Sequence, residues 1–169
     1  MLRDSSGSEF RLSSGKHNRL QAAVVTQFAP RFAPGAKLLH LGGAANTPLI
    51  MESKELARLR FPVEKYSQLP DLVLYWPKKR WLYLIQLVTS HGPISPKQYQ
   101  EWEAMLAAGF AARKYVSAFP NLREYGRYIR DIAWNTEVWI AEIPDHLIHY
   151  NGDKFIGPRQ PPKLMRKAK

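Results

Sequence analysis

Two apolar segments separated by a short polar turn constrain this chain more than any other feature. Asp71 to Tyr75 and Trp81 to Val88 flank Trp76-Pro77-Lys78-Lys79-Arg80. Segments so close in sequence pair as an antiparallel hairpin. The second run is apolar almost throughout, the pattern of a strand covered on both faces. A turn centred between Lys78 and Lys79 sets Asp71 opposite Gln86, with their Cβ atoms roughly 4.5–5.5 Å apart on one face. Two readings follow. In one, Asp71 caps a turn and Gln86 hydrogen-bonds inside the sheet, which is the simpler use of both. In the other, their oxygens share a divalent metal. Mg²⁺ prefers hard oxygen ligands and can activate water and neutralise a phosphate in hydrolysis. Under either reading Gln86 requires partners, because a buried amide costs free energy unless satisfied.

Around the hairpin the chain alternates helices and strands. Lys16 to about Ala29 reads as an amphipathic helix on Leu20, Val24 and Phe28, with Pro30 and Pro34 bracketing a break. Lys37 to Leu41 reads as a strand stopped by Gly42-Gly43, and Glu52 to Arg60 as a short helix. Ser95 opens a helix whose Tyr99, Trp102 and Leu106 share a face and which Gly109 ends. Lys114 to Ala118 is a further strand, and Pro120-Asn121 opens a helix with Leu122, Tyr125, Ile129 and Ile132 inward. Glu137 to Ala141 and Leu147 to Tyr150 are late strands, the second closed by Asn151-Gly152. Crossover helices after Val88 and Ala118 imply an α/β sandwich with a mixed central sheet. The division expected is a leader at 1–12, one domain at 13–157 and a basic tail at 158–169.

Charge narrows the partner. Lys and Arg total 25 against 14 acids, a net +11, and six of those positive charges lie between Lys154 and Lys169 with no acid among them. A domain this basic meets polyanions, and the tail reads either as a solvated end or as a phosphate-tracking arm, with Lys163, Arg166 and Lys167 as its contacts. There is no Cys, which excludes disulfides, thiolate zinc sites and a Cys nucleophile. No apolar run reaches the roughly 20 residues of a membrane span, and the start lacks a signal peptide. A cytoplasmic location and no membrane partner are expected.

Several residues carry a functional and a plain reading side by side. Lys16, His17 and Arg19 open the first helix, as an anion site or a solvated face. His91 in Ser90-His91-Gly92-Pro93 either contacts phosphate or orients its loop. Lys78, Lys79 and Arg80 form a soluble turn or a groove contact. His146 and His149 would fall on opposite faces of a strand, which argues against zinc. Trp134, Trp139 and Tyr150 are assigned to the core.

At the hairpin the sequence becomes recognisable. Pro70-Asp71, followed by Leu84-Ile85-Gln86-Leu87-Val88-Thr89-Ser90-His91-Gly92-Pro93-Ile94, resembles the BsuBI/PstI family of type II restriction endonucleases. Ser14-Gly15-Lys16-His17-Asn18, Phe28-Ala29-Pro30-Arg31-Phe32-Ala33-Pro34-Gly35-Ala36, Ile132 to Glu142 and Pro144 to His149 are similar to that family as well, in collinear order over about residues 12 to 159. The resemblance implies a restriction-endonuclease-like PD-(D/E)xK fold, a mixed sheet flanked by helices with a Mg²⁺-dependent phosphodiester cleavage site at its edge. It also implies double-stranded DNA as partner, with RNA, a homodimer or a larger nucleoprotein assembly as further options. Family members usually carry a separate recognition domain, so this chain corresponds to the nuclease domain.

The departures concentrate on charged positions. The family pattern places Glu where Gln86 stands, Glu at Arg19, Asp at Gly43, Lys at Thr47 and a basic residue at Gln98. The lysine usual to the fold would fall at Val88, and Lys97 is the candidate substitute. Asp71, Gln86 and Lys97 are therefore the candidate catalytic residues, Asp71 and Gln86 the candidate metal ligands. Neutral or positive residues replace anionic ones, which weakens metal binding and lowers repulsion toward phosphate. The expectation is a DNA-binding domain with weak or lost cleavage. The alternatives are an active site-specific deoxyribonuclease, an engineered Glu-to-Gln variant of one, or a nucleic-acid-binding structural subunit.

Overall fold

A computed structural model describes residues 12–43 and 47–150, together with the backbone of two short strands, β1 (Leu2–Arg3) and β2 (Glu9–Phe10), which pair with each other. The expected leader lies mostly outside these residues, and the Asn151-Gly152 turn and the tail with Lys163, Arg166 and Lys167 lie wholly outside them.

The remaining strands are β3 (Lys37–Gly42), β4 (Pro48–Met51), β5 (Leu72–Trp76), β6 (Trp81–Leu87), β7 (Ala112–Phe119), β8 (Thr136–Ile140) and β9 (Leu147–Tyr150). They form one seven-stranded sheet in the order β4-β3-β5-β6-β7-β8-β9. The pairs β6–β7 and β7–β8 are parallel and the others antiparallel, so the sheet is mixed. The hairpin has the expected register, with Leu72 opposite Ile85 and Trp76 opposite Trp81.

Helices cover both faces, as the doubly apolar β6 requires. On one, α1 (Lys16–Ala23), a π-helical turn (Val24–Phe28) and α2 (Ala29–Phe32) set Leu20, Val24 and Phe28 against Leu72, Leu74, Tyr83 and Ile85. On the other, α3 (Ser53–Arg58) and α4 (Pro96–Met105) bury Leu56, Trp102 and Leu106 against Val73, Leu82 and Leu84. Ser95 caps α4 by accepting from the Gln98 N–H at 3.2 Å, and Asn121 caps α5 (Leu122–Tyr128) by accepting from the Glu124 N–H at 2.9 Å.

Four expectations need correction. The first helix does not break at Pro30. The Ala29 N–H donates to the Val24 carbonyl in a wide turn, and Pro30 enters the first turn of α2, where its missing N–H is tolerated. The edge strand β4 is an element beyond those expected, opened by Pro48, and proline is compatible with a strand's first position. The stripe after Pro120 is rotated. Leu122 and Ile129 are about half exposed (50% and 48%), while Tyr125 and Tyr128 turn inward onto Phe119. The helix tightens into a 3₁₀ turn at Ile129–Asp131, which shortens the repeat and swings Ile129 out. Trp134 is not core. It is 50% exposed and meets Tyr150 edge-on, whereas Trp139 is fully buried against Phe28.

Candidate functional site

The start of β5, the end of β6 and the first turn of α1 meet at one end of the sheet. Asp71 directly precedes β5 and lies, by continuation of the register, opposite Gln86. Alternation within β6 sets Gln86 on the face of Leu84, while the Asp71 side chain, just outside β5, reaches toward the Leu87 N–H and toward His17 of α1. The Leu87 N–H donates to Asp71 Oδ2 at 2.7 Å, fixing the carboxyl across the hairpin. Its other oxygen, Oδ1, lies 4.0 Å from His17 Nε2. His17 Nδ1 is 3.3 Å from Thr89 Oγ1, and Ser90 Oγ is 3.1 Å from His91 Nδ1. Burial pushes the Asp71 carboxyl above the ordinary range, and the Leu87 N–H with the more distant His17 and His91 offsets this only in part. Among the described residues, no lysine or arginine shifts it.

A residue that sequence patterning passed over supports this end of the sheet. Gln21, on α1, is fully buried and donates through Nε2 to the Gly42 carbonyl at 2.7 Å. Gly42 in turn donates its N–H to the Asp71 carbonyl at 2.8 Å. The first helix thus reaches Asp71 by two routes, His17 beside its side chain and Gln21 behind its backbone. A glutamine among apolar neighbours, one residue past Leu20, was the available signal. Gly43 next to it is sterically constrained, since a Cβ there would come 2.4 Å from the Thr47 carbonyl oxygen.

Gln86 is half-buried, and no described residue exchanges a hydrogen bond with its amide. Lys97 is not drawn to Asp71. Its side chain is 87% exposed and pairs with Glu101 at 3.8 Å. Lys16 and Arg19 border a cavity of about 460 Å³ alongside Thr89, Asn121 and Arg127. Lys78, Lys79 and Arg80 sit at the far end of the hairpin, five paired residues away from Asp71. His146 lies in the turn before β9 and His149 pairs with Glu137.

Mg²⁺ takes near-octahedral oxygen coordination, with one or two carboxylates supplemented by water and phosphate. Asp71 faces the neutral amide of Gln86 rather than a second carboxylate, and among the described residues no group of three acids, cysteines or histidines could hold a metal. The neighbouring histidine nitrogens are poor Mg²⁺ ligands. The residues present do not make a good Mg²⁺ set.

A second half-buried carboxyl marks the other end of the sheet. Arg113 donates to Glu103 through Nε at 2.7 Å and through Nη2 at 3.1 Å, and the Tyr115 hydroxyl donates to the same carboxylate. Arg113 holds the Glu103 carboxyl below its usual range, while burial drives the Tyr115 phenol well up.

Comparison with known proteins agrees with this geometry. The model of the BsuBI/PstI restriction endonuclease domain matches residues 2–153. The chain is 40% identical over 152 residues to the type II restriction enzyme BsuBI of Bacillus subtilis, covering 90% of this chain and 48% of the relative. It is 32% identical over 165 residues to the type II restriction enzyme AplI of Arthrospira platensis, covering 82% of this chain and 51% of that one. The solved structure of the SdaI restriction endonuclease superposes with a TM-score of 0.83 at 34% identity, over 95% of this chain and 50% of that one. The chain thus spans about half the length of these relatives. The seven-stranded mixed sheet and its flanking helices are those of a restriction-endonuclease-like PD-(D/E)xK fold, and the chain belongs to the BsuBI/PstI restriction endonuclease family.

Proposed function

We propose that this chain binds duplex DNA at the Asp71 end of the sheet and cleaves it weakly or not at all with Mg²⁺. The observation that carries the reading is the solitary Asp71 carboxylate, buried enough to sit above its usual range and set opposite the amide of Gln86. A neutral carbonyl holds Mg²⁺ less well than a carboxylate, and Lys97, the candidate for the fold's lysine, is exposed and paired with Glu101 rather than turned to Asp71. Lys16 and Arg19, with Arg127 across the cavity, supply the phosphate contacts, and His17 and His91 flank the carboxylate. Ligands and cations of such a site act as a unit, so partial loss costs more than a sum of single effects.

The test is plasmid cleavage with Mg²⁺ or Mn²⁺ by the unmodified chain, Gln86→Glu and Asp71→Ala. The expected result is little or no cutting by the unmodified chain, with higher metal affinity and partial recovery of cutting in Gln86→Glu. Recovery stays incomplete because Arg19, Gly43 and Gln98 also depart from the family pattern. Robust cutting by the unmodified chain that disappears in Asp71→Ala refutes the reading. Affinity for duplex falls steeply with salt, and removing Gly157 to Lys169 flattens that slope without altering sequence preference.

A further inference from the structure

A second cluster of positive charge lies at the end of the strands opposite Asp71. The register places Lys37 opposite Tyr75, Trp76 opposite Trp81, and Lys114 opposite Tyr83, so all three pairs crowd around the Lys78-Lys79-Arg80 turn. Aromatic rings hold these cations. The Lys79 ammonium lies 4.7 Å from the Trp76 ring centre and 4.5 Å from that of Trp81, and the Lys114 ammonium lies 5.1 Å from Trp81 on its own side. Arg80 and Arg58 both approach Phe110, at 5.0 and 5.9 Å. Arg58 is paired with Glu55 and Lys114 with Glu137. Lys78, Lys79 and Arg80 are exposed, with no carboxylate partner among the described residues.

We propose that this hairpin end is a second, sequence-independent contact for the phosphate backbone of duplex DNA, separate from the cavity beside Asp71, so that one chain bridges two duplexes. The inference goes beyond the reading above and borrows from it only the nature of the polyanion. Three features support it. The strand β5 between the two ends spans roughly 15 Å at the usual rise per residue, and the ends face opposite ways along the strands, so a duplex crossing one end perpendicular to the strands does not touch the other. The Lys79 ammonium and the guanidinium of Arg80 are already ordered against rings, so less side-chain entropy is lost on binding phosphate. Protein–protein interface centres are depleted in charge, whereas nucleic-acid interfaces are strongly positive, and here the exposed Phe110 lies between the guanidinium groups of Arg58 and Arg80.

The test uses the full chain on beads carrying one duplex and measures capture of a second, fluorescent duplex at low salt. The variant is Lys78→Gln/Lys79→Gln/Arg80→Asn, with Asn at 80 because that residue has φ 57°, which Asn tolerates. The expected result is capture of the second duplex by the parent and a loss of about tenfold or more in the variant, since each lost phosphate contact removes one counterion-release step. Retention on the first duplex, the melting temperature and the oligomeric state stay as in the parent. Lys16→Gln/Arg19→Gln separates the two readings. If that variant loses duplex binding entirely while the hairpin variant captures as well as the parent, the cavity reading stands and the bridging proposal falls. If the hairpin variant alone loses capture, the proposal holds. A parent that captures no second duplex, or that captures polyglutamate as strongly as duplex, overturns it.

Discussion

Two half-buried carboxyls sit at opposite ends of the same sheet and are treated in opposite ways. Glu103 receives a two-pronged guanidinium and a phenol, and its carboxyl stays ionised to lower pH than usual. Asp71 receives one backbone N–H and two histidines at a distance, and its carboxyl lies above its usual range. Both cost solvation on burial. Only Glu103 has a full charge partner. A carboxylate that packing alone would explain looks like Glu103. Asp71 is undercompensated, which is the condition of a group positioned to meet a charge from outside the chain.

The contrast can be broken at either end. Arg113→Met strands the Glu103 charge and lowers stability at neutral pH by about 2 kcal/mol, discounted from fully buried pairs because both side chains are partly exposed. The folded Glu103 carboxyl is depressed, so its contribution is present above the unfolded value and lost as pH falls through the folded one. The penalty of Arg113→Met in urea denaturation therefore shrinks on acidification. Tyr115→Phe removes one donor from the same carboxylate and costs about 1 kcal/mol. Asp71→Asn has the opposite sign. The folded carboxyl is raised, so its protonated form is favoured in the folded state, and ionisation at neutral pH costs stability. The amide keeps an acceptor for Leu87, and the variant gains up to about 1 kcal/mol at pH 7. That gain disappears below the ordinary Asp value of 3.8. A destabilised Asp71→Asn would mean that its charge is compensated after all. The smallest effect is His17→Gln, which removes one partial offset and moves the Asp71 titration, followed by NMR of the carboxyl carbon, further upward.

Much of the central fold was legible because it rests on local pattern. The turn between Lys78 and Lys79 fixed the β5–β6 register, and the continuous apolar run of β6 announced cover on both faces. The misread elements are those in which the backbone departs from one period. The wide turn at Val24–Phe28 carried the first helix through Pro30, and the tight turn at Ile129–Asp131 rotated Ile129 outward. At the site, hairpin arithmetic sets Asp71 opposite Gln86, and the family resemblance is what makes the two candidate site residues. The approach of His17 to Asp71 spans 54 positions of chain and depends on how α1 packs on the sheet, which no spacing rule encodes. The Gln21–Gly42–Asp71 relay was hidden for the same reason. Lys97 is the candidate substitute for the lysine that the fold would carry at Val88, and helix α4 turns it outward to Glu101.

The wide turn has a consequence for how the first helix ages under insertion and deletion. Successive residues of an α-helix are offset by about 100° around its axis, so the one surplus residue in a π turn acts as an angular phase shifter. On one side of it Leu20 and Gln21 address the strands near Asp71, and on the other Phe28 and Phe32 lock against one another and Phe28 against Tyr83 and Trp139. Excising one residue from 24–28 would leave a regular helix with its aromatic anchor in place and its leading turn swung away from the carboxylate. Such a protein would keep its core and lose its site in a single step, with every side chain of that site still present in the sequence.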